Sequence, residues 1–131
     1  MGMLRDLKRT WYQNVARRAL ESALNHLAFG REEEGERQLL RAVNYIIASD
    51  MPLFNVPLHN SERKLLRISA MRVARKIISA YVNFINHSRP AVHTVLQVVW
   101  LLNLAGATLE EADIPGDYIL TDLLMFRKSD A

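Results

Sequence analysis

At 131 residues, half of them apolar, the chain is long enough to bury one domain's core and too apolar to be disordered throughout. It has no cysteine, which excludes disulfides, thiolate metal sites and a thiol nucleophile and leaves packing or assembly to supply stability. Its net charge of +3 is unevenly spread, and a cationic part followed by an acidic one points to two electrostatic faces and a polyanionic partner.

The segregation is steep. Residues 1–30 carry five basic against two acidic side chains, residues 31–60 three against five, and residues 61–89 seven against one. Residues 90–126 hold five acids and no Lys or Arg. The longest apolar stretch, Val95 to Ala107, is broken by Gln97 and Asn103 and falls short of the ~20 residues needed to span a bilayer. Arg5, Asp6, Lys8 and Arg9 interrupt any apolar run at the start, so no secretory leader is expected.

Residues 4–29 predict one long basic helix of ~39 Å, without Pro or Gly until Gly30. Its apolar stripe changes face. Leu4, Leu7, Trp11 and Val15 share one side, whereas Leu20, Leu24 and Leu27 lie about half a turn round. Two readings are open: a kink near Ala16, or a first half that contacts something other than its own core.

Gly30 ends that helix, and Glu32, Glu33 and Glu34 favour the start of the next, near the positive end of its dipole. Leu39, Leu40, Val43, Ile46 and Ile47 form its apolar face, and Glu33 with Arg37 makes an i,i+4 pair. Pro52 closes it. Residues 51–60 hold two prolines among Leu53, Phe54, Val56 and Leu58, which predicts an extended strap lying on the core or on a neighbouring subunit.

Asn60 or Ser61 then caps a second basic helix running from Glu62 to about Asn86. Leu66, Ala70, Val73, Ala74, Ile77, Tyr81 and Ile85 gather on one side, opposite Arg72, Arg75, Lys76, Ser79 and Asn83. After Pro90 comes a helix apolar around its whole circumference, from Val92 to Leu104, which predicts a central core helix closed by Gly106. Thr108 and Glu111 form a capping-box pattern for a short helix that Pro115 stops, and Asp117 opens a last helix through Phe126. The sum is an all-α bundle of about four to five helices. Residues 1–30 read as a basic arm and residues 31–131 as the bundle.

No phosphate-binding loop, dinucleotide fingerprint, HExxH or GxSxG motif is present, and no two of His26, His59, His87 and His93 stand at helical spacing from each other. The acids at 32–36 and 110–113 stand where helix starts want them. An enzyme, a metal site, a cofactor and a small-molecule substrate are therefore not expected. Nucleic-acid binding has positive support. The first helix interleaves Arg5, Lys8, Arg9, Arg17 and Arg18 with Trp11, Tyr12, Gln13 and Asn14, and the second basic helix adds Arg63, Lys64, Arg67, Arg72, Arg75 and Lys76. Such side chains neutralise phosphates without reading sequence.

The stretch from Met71 to Val99, with MRVARKI, SAYVNFIN and RPAVHTVLQVV in that order, resembles the helical part of the major coat proteins of rod-shaped and filamentous archaeal viruses with linear double-stranded DNA. The resemblance implies a subunit that pairs with itself or with a related second coat protein, wraps A-form DNA and polymerises into a filament within the virion. It also implies phosphate contacts at the matched positions Arg72, Arg75 and Lys76. Side chains read the deep, narrow major groove of an A-form duplex poorly, so backbone contacts suit it. The other readings are a cytoplasmic helical regulator or nucleoid protein, which would protect one short operator, and a helical interaction module that binds no nucleic acid.

Overall fold

The computed structural model describes residues 2–49, 58–84 and 92–114. Four helices account for nearly all of them: α1 (Gly2–Ala28), α2 (Glu32–Ala48), α3 (Asn60–Phe84) and α4 (Val92–Ala105). No strand occurs among the described residues, and the chain is an all-α bundle. Most of the expected strap (51–57), residues 85–91 and the last helix after Pro115 lie outside the described residues. Leu58 packs half-buried against the core.

The termini follow local chemistry. Gly30 takes φ 75°, which an L side chain rarely adopts. It lets Arg31 N–H donate to His26 O at 2.8 Å and Gly30 N–H to Leu27 O at 3.1 Å, the bond pair that closes a Schellman end. Gly106, at φ 65°, does the same for α4 through Ala107 N–H to Leu102 O at 3.0 Å. The Thr108–Glu111 capping box forms in both directions, Glu111 N–H to Thr108 Oγ1 at 3.1 Å and Thr108 N–H to Glu111 Oε1 at 3.2 Å. It organises a single turn rather than a helix, because Asp113 at φ 58° already reverses the chain. At the start of α3 the cap is neither Asn60 nor Ser61. Glu62 reaches back to accept from His59 N–H at 2.9 Å, so the helix begins earlier than its side chains suggest. In α2 Arg37 pairs with Glu34, one residue nearer than Glu33.

The helices pack as two hairpins, α1 on α2 and α3 on α4. α2 and α3 each touch the other three helices, and α1 and α4 do not touch each other. The central position expected for α4 thus belongs to α2 and α3. Val95, Val98, Leu101 and Leu104 of α4 are buried, but Leu96, Val99 and Trp100 are only half-buried; an apolar circumference does not by itself supply neighbours on every side. Gln97, which interrupts that apolar run, donates to Asn44 Oδ1 of α2 at 2.8 Å.

α1 is not a separate arm. Ala16, Ala19, Leu20, Ala23 and Leu27 belong to the one hydrophobic core that also takes residues from α2, α3 and α4. Three alanines bring its backbone close to α2, and Gly35 completes the approach: a Cβ there would stand 2.6 Å from Leu27 Cγ and Cδ2. The helix is continuous through Ala16, yet Leu4, Leu7 and Trp11 stay exposed. No kink returns the first stripe to the core, so the change of face leaves it outward.

Candidate nucleic-acid interface

The cations of α3 turn inward to partners within the chain. Arg72 Nη1 donates to Glu36 Oε1 at 3.0 Å and to Glu32 Oε2 at 3.2 Å, and Lys76 Nζ reaches Glu36 Oε2 at 3.4 Å. The Glu36 side chain is only 12 % exposed, so two cations sit on one largely covered carboxylate. The hydrogen bonds to Glu32 and Glu36, with the field of Glu36, hold the Arg72 pKa above its ordinary value.

Further cations of α3 reach toward α4. Arg63 Nη1 donates to Asn103 O at 2.9 Å and Leu104 O at 3.1 Å, carbonyls at the negative end of the α4 dipole. Arg67 pairs with Glu111, and Arg75 Nη1 donates to Ala112 O at 3.4 Å. Five of the six α3 residues expected on DNA therefore bind the fold itself: Arg63, Arg67, Arg72, Arg75 and Lys76. Their positive charge matches the acids of residues 32–36 and the turn after α4, so much of the segregation along the sequence is internal complementarity. Lys64 remains exposed.

The cations of α1 fall into a different arrangement, on the side of the α1–α2 hairpin away from Glu32 and Glu36. Arg5, Lys8 and Arg9 line a cleft of about 180 Å³ with Tyr12, Ala48 and Ser49. Farther along, Arg18 lines a cleft of about 380 Å³ with Val15, Ser22, Gln38 and Arg41. Among the described residues neither lining contains a carboxylate. Arg17, exposed, lines neither. Between the clefts stand three aromatic rings in mutual contact. Trp11 meets Tyr12 at 5.0 Å and Tyr45 at 6.3 Å, both edge-on, and Tyr12 meets Tyr45 at 6.2 Å. Cations lie over two of them, Lys8 Nζ 6.0 Å from the Tyr12 ring and Arg41 5.6 Å from the Tyr45 ring. Such contacts fix the direction of a flexible cation.

Arg41 and Tyr45 are the members that sequence reasoning missed. They sit in a segment with an acidic balance and register as the polar back of an amphipathic helix. The available signal was the row Arg37, Arg41 and Tyr45 at i, i+4 and i+8, which places them on α2's flank rather than beside Glu36. Among the described residues no group of His, Asp and Glu could hold a metal ion, and none of the described helices is long and apolar enough to cross a membrane. His59 and His93 are exposed and His26 half-buried; His87 lies outside the described residues. No family model, curated protein or solved structure matches the chain.

Proposed function

We propose that the chain is a DNA-packaging structural protein that holds the phosphate backbone of double-stranded DNA on its α1–α2 face, without reading sequence. One observation carries the reading: Arg5, Lys8, Arg9, Arg18 and Arg41 line two clefts along one hairpin, and no carboxylate stands among the described residues of either lining. Charge placed this way attracts a polyanion and carries no base-edge geometry. The rings favour a duplex over a single strand. Base stacking needs an open aromatic face, and the faces of Tyr12 and Tyr45 are already approached by Lys8 and Arg41.

Polymerisation along the duplex would multiply contacts that are individually weak, and the place this reading gives the protein is a helical virion. That last step rests on the resemblance of residues 71–99 to viral coat proteins, and the phosphate contacts it implied at Arg72, Arg75 and Lys76 pass to α1 and α2.

Fluorescence anisotropy on two duplexes of unrelated sequence tests the proposal. The five cleft cations give a log–log salt slope of about −4.5, at about −0.9 per neutralised phosphate. All eleven cations expected from sequence would give about −10. Arg41→Gln and Lys8→Gln should each flatten the slope by about one, and Lys76→Gln should leave it unchanged. Binding confined to one of the duplexes, or a slope indifferent to Arg41 and Lys8, refutes the assignment.

A further inference from the structure

The outer side of α3 carries an apolar row that neither the core nor phosphate binding uses. Ile68 is 63 % and Leu65 39 % exposed, although the opposite side of the same helix is buried from Leu66 to Ile78. Leu65, Ile68 and half-buried Met71 follow at i, i+3 and i+6, so they form one ridge slanted across the helix. Lys64 stands exposed beside it. The other end of the ridge meets the turn after α4, where Glu111 pairs with Arg67 and Ala112 O accepts from Arg75. Met71 is four residues from each of these arginines and shares their side of the helix.

The course of the chain decides the occupant. Ile114 is buried at the end of that turn, and only Pro115 and Gly116 separate it from Asp117. Residues 117–126, DYILTDLLMF, place Ile119 and Leu123 in one i,i+4 row and Leu120 and Leu124 in the next. Two such rows bound a groove, and an i±3 ridge seated in an i±4 groove lays two helices about 20° apart. The lengths agree, because ten helical residues rise about 15 Å and Lys64 to Arg75 spans about 16 Å. The charges agree as well: the segment carries Asp117 and Asp122, and its first base after them is Arg127. We infer that residues 117–126 of the same chain lie as a helix along the outer side of α3, with Leu120 and Leu123 astride Ile68.

The tether favours this occupant over a separate partner. A short link gives an effective concentration on the order of millimolar or above, which a free helix of the same chemistry would have to match. In place, the segment is an acidic cover. It takes Leu65 and Ile68 out of water and brings two carboxylates to the α3 flank, so the positive side of the subunit is the α1–α2 hairpin. The inference does not depend on the phosphate reading, and its test contains no nucleic acid.

The chain has no cysteine, so introduced thiols report without background. Ile68→Cys is combined in turn with Leu120→Cys, Leu123→Cys, Leu124→Cys and, on the polar side of the segment, Asp122→Cys. Each full-length variant is oxidised in dilute solution and read by mass and by mobility on a non-reducing gel. At least one of the leucine positions is expected to give a disulfide within the chain, and Asp122→Cys none. A second measurement labels the thiol of Ile68→Cys alone with a maleimide. Adding Leu123→Asp should speed that labelling about tenfold, while circular dichroism keeps the helical signal. Disulfides formed only between chains, none at any leucine position, or linkage at Asp122→Cys as ready as at the leucines overturns the inference. So does a labelling rate indifferent to Leu123→Asp.

Discussion

The contact between Leu27 and Gly35 sets how closely α1 lies on α2, and a single methyl group measures it. Replacing Gly by Ala in the middle of a helix normally stabilises by about 1 kcal/mol through backbone entropy. At position 35 the new Cβ would stand 2.6 Å from both Cγ and Cδ2 of Leu27, where carbon atoms rest about 3.5–4.0 Å apart. Cδ2 can swing away at small cost. Cγ moves only if χ1 of a buried leucine changes, and Ala23 O at 3.4 Å closes the nearest alternative. The clash therefore belongs at the upper end of the overpacking range, about 3 kcal/mol, and the net effect of Gly35→Ala is a loss of about 2 kcal/mol.

The sign reverses when the obstacle is removed. Leu27→Ala alone costs about 2–5 kcal/mol as a large-to-small core change. In that background Gly35→Ala meets empty space and recovers about 1 kcal/mol of helix propensity. The double-mutant cycle thus carries a coupling of about 3 kcal/mol, large for two residues in direct contact. Urea unfolding followed by circular dichroism reads all four corners. A Gly35→Ala variant that is more stable than wild type by its full propensity increment would show that α1 stands off α2 and that the steric account is wrong. The same substitution bears on function. Spreading the hairpin separates Arg18 from Arg41, so the variant's affinity for duplex DNA should fall while its salt slope persists.

Other consequences are as direct. Glu36→Gln removes the carboxylate that holds Arg72 and Lys76, so the salt slope for DNA should steepen, by up to about two; an unchanged slope would mean that those cations cannot reach a duplex at all. Thr108→Ala breaks one arm of the capping box and should cost about 1 kcal/mol in urea unfolding, with the DNA salt slope unaltered. The Arg72 contact also fixes a pH dependence. A cation whose folded pKa is raised contributes stability that is fully present below its unfolded value and is lost only as pH rises through the folded one. For an arginine both lie far into the alkaline range, so the wild-type urea midpoint should show no loss from this pair up to about pH 10. Arg72→Lys moves the titration down to about 10.4, and its midpoint should fall first as the solution becomes alkaline. Equal alkaline curves for the two proteins would count against the pair as a stabilising contact.

Local rules made the helix ends and the outward stripe legible. Gly30 and Gly106 end helices because the backbone there needs positive φ, and the Thr108–Glu111 spacing closes on itself within four residues. The change of face along α1 was readable as periodicity, and it marks a half-helix whose apolar seam faces away from its own core. What could not be read was which helix lies against which. Arg63, Arg72, Arg75 and Lys76 find partners 36 to 41 positions away, and a helical wheel shows that cations share a face without showing what covers it. The same limit hid Arg41, whose place beside Arg18 depends on the α1–α2 hairpin, and promoted α4 to a centre that α2 and α3 occupy.

The two-sided character of α2 ties the fold to the proposed activity. Surface ion pairs are individually weak, and a duplex offers a denser row of anions than Glu32 and Glu36. If phosphate met Arg72 and Lys76 first, binding would compete with the contact between α2 and α3 and loosen the subunit it is meant to organise. α2 separates the two demands by geometry: Glu36 faces α3, while Arg41 and Tyr45 stand on the flank that meets α1. The acids neutralise the cations that hold the bundle, and the flank bearing Arg18 and Arg41 keeps a positive field for a ligand. A substitution that places an acid on that flank, Gln38→Glu beside Arg18 and Arg41, should therefore weaken DNA binding by roughly the loss of one cation contact and leave unfolding by urea unaffected. Equal losses in binding and stability would show that α2 does not keep the two roles apart.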